Sequence, residues 1–96
     1  MKLIISPNAN YDLQAIVEYI VSENPEAALV ILDEIEMALN RLRDFPFLGT
    51  ARGSLRPGYR LLVTGNYNIL YKVESEKIYV GRILHHAQDI ENALDG

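Results

Sequence analysis

The 96-residue chain predicts an α+β fold: an N-terminal strand and an antiparallel helix hairpin packed on a mainly antiparallel sheet that contains a three-stranded meander. Three observations carry this. Two amphipathic stripes each begin at a proline-headed start signal, Ser6-Pro7 and Asn24-Pro25. Residues 46–58, with Pro46, Gly49, Gly53, Pro57 and Gly58, hold no period and read as a loop. Three runs rich in β-branched and aromatic residues then follow, YRLLVT at 59–64, YNILYKV at 67–73 and KIYVGRIL at 77–84.

Taken in order, KLII at 2–5 is a short β-like run stopped by Ser6-Pro7. Ser6 suits a helix cap, and Pro7, lacking an amide hydrogen, suits the first helical position. Ala9, Leu13, Ile16, Val17 and Ile20 form one stripe, with Asp12, Gln14 and Glu18 assigned to the other side. Asn24 and Pro25 repeat the signal, and Glu26 sits in the positive field of the second helix start. That stripe runs Ala28, Ile31, Ile35, Ala38, Leu39, Leu42 and Phe45, with Arg41 and Arg43 in the last turn and Pro46 ending the helix. Because only the stretch around Ser22-Glu23-Asn24 separates the stripes, the helices are expected to pack side by side. Gly65-Asn66 and Glu74-Ser75-Glu76 are short enough for two hairpins, which makes the meander the simplest pairing.

Bulk properties bound the function. The length suits one domain, residues 1–96. With 49% hydrophobic and 23% charged residues, the chain has side chains enough to bury a core and too little charge for disorder. No apolar run approaches the roughly 20 residues that span a bilayer and no signal-like segment opens the chain, so a cytoplasmic protein without a membrane partner is expected. There is no cysteine, which removes disulfides, thiolate catalysis and Cys-bound zinc. A net charge of −4 argues against direct nucleic-acid binding. The charge is polarised: residues 1–44 carry −5, residues 45–85 carry +4, and residues 86–96 carry −3. Such a division is an electrostatic basis for choosing partners.

The serines lie in no nucleophile-elbow pattern, and the glycines are scattered through turns rather than set between a strand and a helix, so acyl-enzyme chemistry and nucleotide hydrolysis are disfavoured. His85 and His86, adjacent at a strand exit, point to opposite faces and do not converge on one ion; no metal or cofactor is expected. What remains is Arg60, Arg82, His85 and His86, which could serve either a surface for an acidic partner or phosphodiester cleavage, with arginines steadying phosphate and a histidine moving protons. Whether Arg60 and Arg82 share a face depends on a register that the sequence leaves open. For the histidines, packing or capping is favoured over catalysis; the tyrosines at 59, 67, 71 and 79 are expected to pack across strands rather than stack on bases. Arg52 and Arg56 lie in the loop with no evident intrachain partner, which makes them the basic residues hardest to explain by structure alone.

Six stretches then combine. SPNANYDLQAIVEYI, NPEAA, LRDFPFLGT, RPGYR, NYNILYKV and VGRILHHAQDI, in that order, resemble the ParE-type toxins of the RelE/ParE toxin–antitoxin superfamily over nearly the whole chain. The resemblance implies the fold reached above from the residues. It also implies a small bacterial cytoplasmic toxin of a plasmid-stabilising type, neutralised by a cognate antitoxin whose flexible segment wraps it, and acting when free by binding and inhibiting DNA gyrase. Catalytic residues and cofactors are not expected on that branch. On the superfamily's ribonuclease branch, Arg60, Arg82, His85 and His86 would be the cleavage set, although residues 83–96 hold no tyrosine. LHHAQD resembles the strand-exit signature of the ParE branch with two departures, His86 at a small-residue position and Gln88 at the usual arginine. A weakened toxin that only binds antitoxin is therefore a further alternative. Partner contacts are expected at Arg52, Arg56, Arg60, Arg82, His85 and Asp89.

Overall fold

The computed structural model describes residues 1–94; the last two positions of the expected 1–96 domain lie outside them. Strand β1 (Lys2–Ile5) leads into helix α1 (Pro7–Glu23), helix α2 (Pro25–Asp44), a short strand β2 (Thr50–Ala51), the strands β3 (Tyr59–Thr64), β4 (Tyr67–Glu74) and β5 (Lys77–His85), and a short helix α3 (Ile90–Ala93).

Local chemistry explains the boundaries. The Ser6 hydroxyl accepts the Ala9 N–H at 3.0 Å and donates to the Gly81 carbonyl at 2.8 Å, so one side chain starts α1 and pins it to β5. Asn24 alone joins the two helices. Its N–H donates to the Ile20 carbonyl at 2.6 Å, closing α1, while its side-chain oxygen accepts from Glu26 and Ala27, opening α2. The second stripe is shorter than expected: Leu42 is fully buried, but Phe45 is 64% exposed, because it lies past the end of α2 in non-helical backbone.

The strands form one sheet in the order β1-β5-β4-β3-β2, with β1 parallel to β5 and every other pairing antiparallel. The meander is as expected. The strand β2 is not: Thr50 and Ala51 pair with Leu61 and Arg60, so part of the loop is a two-residue edge to the sheet. Tyr71, fully buried, holds that loop by accepting the Gly49 N–H at 2.8 Å. Gly49 has to be glycine, since a Cβ there would meet the Tyr71 ring and the Leu61 carbonyl at 2.8 Å.

Between Tyr71↔Val80 and Leu70↔Arg82 the β5 register skips Gly81, a β-bulge that reverses which residues face the helices. Ile78 and Val80 before the bulge, and Ile83 after it, join Ile35, Leu42, Ile69 and Tyr71 in the core beneath the helices. Arg82 and Leu84 are thereby turned to the outer face. There Leu84, Leu70, Tyr59 and Leu94 form a second apolar cluster, roofed partly by α3.

Candidate partner-binding surface

Arg60 and Arg82 do not share a face. Arg60 lies opposite Tyr71, which lies opposite Val80, on the helix side; Arg82 lies opposite Leu70, which lies opposite Leu61, on the outer side. Both are engaged within the chain. Arg60 donates to the carbonyls of Gly49 at 3.0 Å and Phe47 at 3.2 Å, and its guanidinium sits 5.4 Å from the centre of the Phe47 ring. It therefore fastens the 46–50 loop to β3.

Arg82 is the centre of a larger network. Its Nε and Nη2 donate to the two carboxylate oxygens of Asp12 at 2.7 and 2.8 Å, a fork-to-fork pair, and its Nη1 donates to the Ala93 carbonyl at 2.7 Å. The Asp12 hydrogen bond raises the Arg82 pKa above its usual value, against the lowering effect of burial, with the Asp12 charge adding to it. Asp12 is thus not on the solvated side of α1, where the stripe places it. The bulge swings Arg82 toward the edge of β5, and the carboxylate turns in to meet it with only 10% of its side chain exposed.

Asp12 does a second job. Strand β1 covers β5 only as far as Val80, and beyond it the Ile83 N–H is taken by Asp12 at 3.0 Å and the His85 N–H by the Gln88 side chain at 2.7 Å. Side chains thereby close an edge that would otherwise offer itself for strand pairing. Gln88 also donates its own N–H to the His85 carbonyl at 2.9 Å, so the residue that departs from the ParE pattern closes a turn here.

His85 is half-buried. Its ring stands edge-on to Tyr67 with centroids 5.5 Å apart and accepts the Ala87 N–H at Nδ1 at 3.2 Å. Contrary to the strand alternation expected, its ring lies 4.3 Å from the exposed His86 ring, because β5 ends at His85 and His86 follows in a turn. Burial, with Glu34 adding to it, raises the Tyr67 phenol above its usual pKa. Beside this corner runs a groove of about 610 Å³ between α1 and the end of β5, walled by Tyr11, Ala15, Tyr19, Tyr67 and His85. Asp89 caps α3, accepting from the Glu91 N–H and the Asn92 side chain.

Arg52 and Arg56 stand apart. Arg52 is half-buried and Arg56 exposed, and among the described residues neither side chain forms a hydrogen bond or ion pair. Arg56 borders a second groove, about 510 Å³, on the outer sheet face, together with Lys72, Lys77 and Tyr79. The sequence marks Tyr79 only as a cross-strand packing residue and does not single out Lys72 or Lys77, although the outward alternation of β4 and β5 marks all three: Tyr71 is buried where Lys72 is not, and Ile78 is buried where Lys77 and Tyr79 are not.

No helix among the described residues is long and apolar enough to cross a membrane, and no group of three or more His, Asp or Glu among them is placed to hold a metal ion.

Comparison with known proteins agrees with this architecture. The family described as the ParE toxin of the type II toxin–antitoxin system parDE matches residues 3–90. Toxin ParE1 of Mycobacterium tuberculosis is 32% identical over 95 residues, covering 97% of both chains. Toxin ParE3 of Caulobacter vibrioides is 40% identical over 53 residues, 55% of this chain and 53% of that protein. Among solved structures, a chain of the chromosomal ParDE system of P. aeruginosa superposes with a TM-score of 0.77 at 28% identity, over 88% of this chain and 95% of that one. With both the sequence pattern and the strand–hairpin–meander order in agreement, the chain belongs to the ParE toxin family of type II toxin–antitoxin systems.

Proposed function

We propose that this ParE-family toxin is neutralised by a cognate antitoxin and, when free, inhibits DNA gyrase by binding to it. The observation that carries the reading is the family match, which runs through residues 3–90 and so includes the helix hairpin, the arginine-bearing loop and the strand exit together. Geometry supports binding over RNA cleavage. Cleavage would need Arg60, Arg82 and a histidine around one phosphate, yet the arginines lie on opposite faces and both spend their donors on the chain itself.

The antitoxin is taken to contribute an acidic or amphipathic segment that lies along the helix hairpin and toward Arg52, Arg56 and Arg60. Tyr11 and Tyr19 on α1 and Leu29 and Met37 on α2 are each more than 60% exposed and offer apolar anchors. Arg52 and Arg56 supply charge with donors unspent. Arg82, His85 and Asp89, at the exit of β5, complete the contact set; Arg82 and Asp89 act there mainly by holding the backbone in place.

The test pairs two assays on one preparation: plasmid supercoiling and cleavage by purified gyrase, and cleavage of ribosome-bound mRNA. Blocked supercoiling or trapped gyrase–DNA breaks with intact mRNA is the expected result. Cut mRNA with unaffected gyrase would move the protein to the ribonuclease branch, and unharmed growth without antitoxin would leave it only an antitoxin-binding role.

A further inference from the structure

The outer-face groove has a composition unlike the rest of the molecule. Among the described residues, four cations, Arg56, Lys72, Lys77 and Arg82, line it with one carboxylate, Glu74, in a chain whose net charge is −4. Not all four are equally available. Arg82 is neutralised from behind by Asp12, and Lys72 is held by Glu74 at 3.2 Å. Arg56 and Lys77 form no ion pair among the described residues.

The floor is aromatic. Tyr59, Lys72 and Tyr79 stand in one cross-strand row on β3, β4 and β5, with the Lys72 amine 6.0 and 5.6 Å from the two ring centres. Tyr59 is buried and packs over Gly81, whereas Tyr79 is only half-buried. Asn8, exposed at the start of α1, adds an uncharged hydrogen-bonding side chain at the rim.

Cations bordering an aromatic surface are the elements by which proteins hold single strands of nucleic acid without reading their sequence: the cations follow the phosphates and a base stacks on a ring. A peptide of acidic residues alone would use the cations but has no flat ring to stack on Tyr79. We propose that this groove binds a single phosphodiester strand, with phosphates on Arg56 and Lys77 and a base against Tyr79. Eight of the chain's thirteen acidic groups lie in α1 and α2 on the other side of the sheet; Asp89 and Glu91, at α3, lie on the groove's own side, and exposed charges beyond about 8 Å are largely screened at physiological salt. The inference is independent of the gyrase reading and stands or falls on binding alone.

The experiment is fluorescence anisotropy with the full chain and labelled oligothymidylate, oligouridylate and oligoglutamate, at salt from about 50 to 200 mM. Both oligonucleotides are expected to bind at low salt and to weaken steeply with added salt; the tighter of the two identifies DNA or RNA as the source of the strand. Arg56→Gln with Lys77→Gln should weaken binding at least tenfold and lower the salt slope by about 1.4, the value for two lost phosphate contacts on a single strand. Glu74→Gln should tighten binding several-fold, a gain that loss of structure would not produce. Circular dichroism checks that each variant is folded, and Lys77→Gln alone serves if the double variant is not. Absence of oligonucleotide binding at low salt, equal or tighter binding of oligoglutamate, or indifference to Glu74→Gln and Lys77→Gln overturns the proposal.

Discussion

Two groups of cations on the same sheet illustrate opposite uses of positive charge. Around Arg82 each of the three guanidinium nitrogens is engaged: two bonds to Asp12, one to Ala93, with Asp12 also closing the β5 edge at Ile83. Around Arg52, Arg56 and Lys77, the charge is held out on a loop and a strand end with no ion pair among the described residues. A cation that is fastened on several sides fixes the fold and has little left for a partner. One that is left unfastened adds almost nothing to stability and keeps its donors for binding. Mutations should therefore separate the two groups cleanly, with stability responding at the first and affinity at the second.

The largest expected effect on stability is at Asp12. Asp12→Ala leaves a partly buried guanidinium without its carboxylate and the Ile83 N–H without its acceptor. Truncating one member of a buried pair costs about 3–5 kcal/mol, and the side-chain exposures of 24% and 10% place this pair at the low end, about 3 kcal/mol. Chemical denaturation measures it. A loss under 1 kcal/mol would mean that the network is an ordinary surface ion pair and that the contrast with Arg56 is false.

Gly81→Ala comes next. A Cβ at this position would sit 2.7 Å from the Tyr59 hydroxyl, in the bulge that sets the direction of Arg82. Tyr59 has to move or the bulge has to shift, at a cost of about 2 kcal/mol. The double variant Gly81→Ala/Tyr59→Phe relieves the contact with the hydroxyl and should recover part of this in the same melt. No recovery would locate the cost outside the hydroxyl, in the ring carbon 3.0 Å away or in the bulge backbone.

How much of this was legible beforehand depends on the range of the interaction. Ser6-Pro7, Asn24-Pro25 and the meander signals act over a few residues, and the structure bears them out nearly to the residue. The strand β2 was invisible because Thr50 and Ala51 have no strand period of their own; they are strand only because β3 lies beside them. Helical spacing alone puts Asp12 on the wet side of α1, because it does not register a partner 70 residues away. The faces of Arg60 and Arg82 hinge on one additional residue at Gly81, and a one-residue change of register reverses every subsequent side chain. The candidate surface was therefore read in part: Arg52 and Arg56 stood out as unpaired, while Lys72, Lys77 and Tyr79 needed the sheet to bring them together.

The turn between β4 and β5 lies next to the unfastened group and allows a smaller test. Ser75 and Glu76 have φ of 52° and 60°, left-handed values at both positions of a two-residue turn that favours Asn-Gly. The first hairpin has Gly65 at φ 55° and avoids that cost. Replacing Ser75-Glu76 with Asn-Gly relieves left-handed strain at both positions, partly offset by the greater freedom of Gly in the unfolded chain, and is expected to stabilise the protein by about 1 kcal/mol, read as a rise in melting temperature. The strain at Lys77's doorstep is then removable without touching the Arg82 network.

The smallest stability effect, and the sharpest division between the two groups, is expected at the loop. Arg52→Glu together with Arg56→Glu breaks no ion pair or side-chain hydrogen bond among the described residues, so unfolding should change by no more than about 0.5 kcal/mol. If an acidic antitoxin segment lies across this loop, the same variant should bind antitoxin more weakly at low salt, chiefly through slower association, and the difference should shrink as salt rises. Unchanged affinity at low salt would put the antitoxin elsewhere, on the apolar groove between Tyr11 and Tyr19 or on other exposed parts of the hairpin. Marked destabilisation would show that the loop arginines are fastened after all, and the distinction between structural and available charge would have to be drawn at some other boundary than the one separating Arg82 from Arg56.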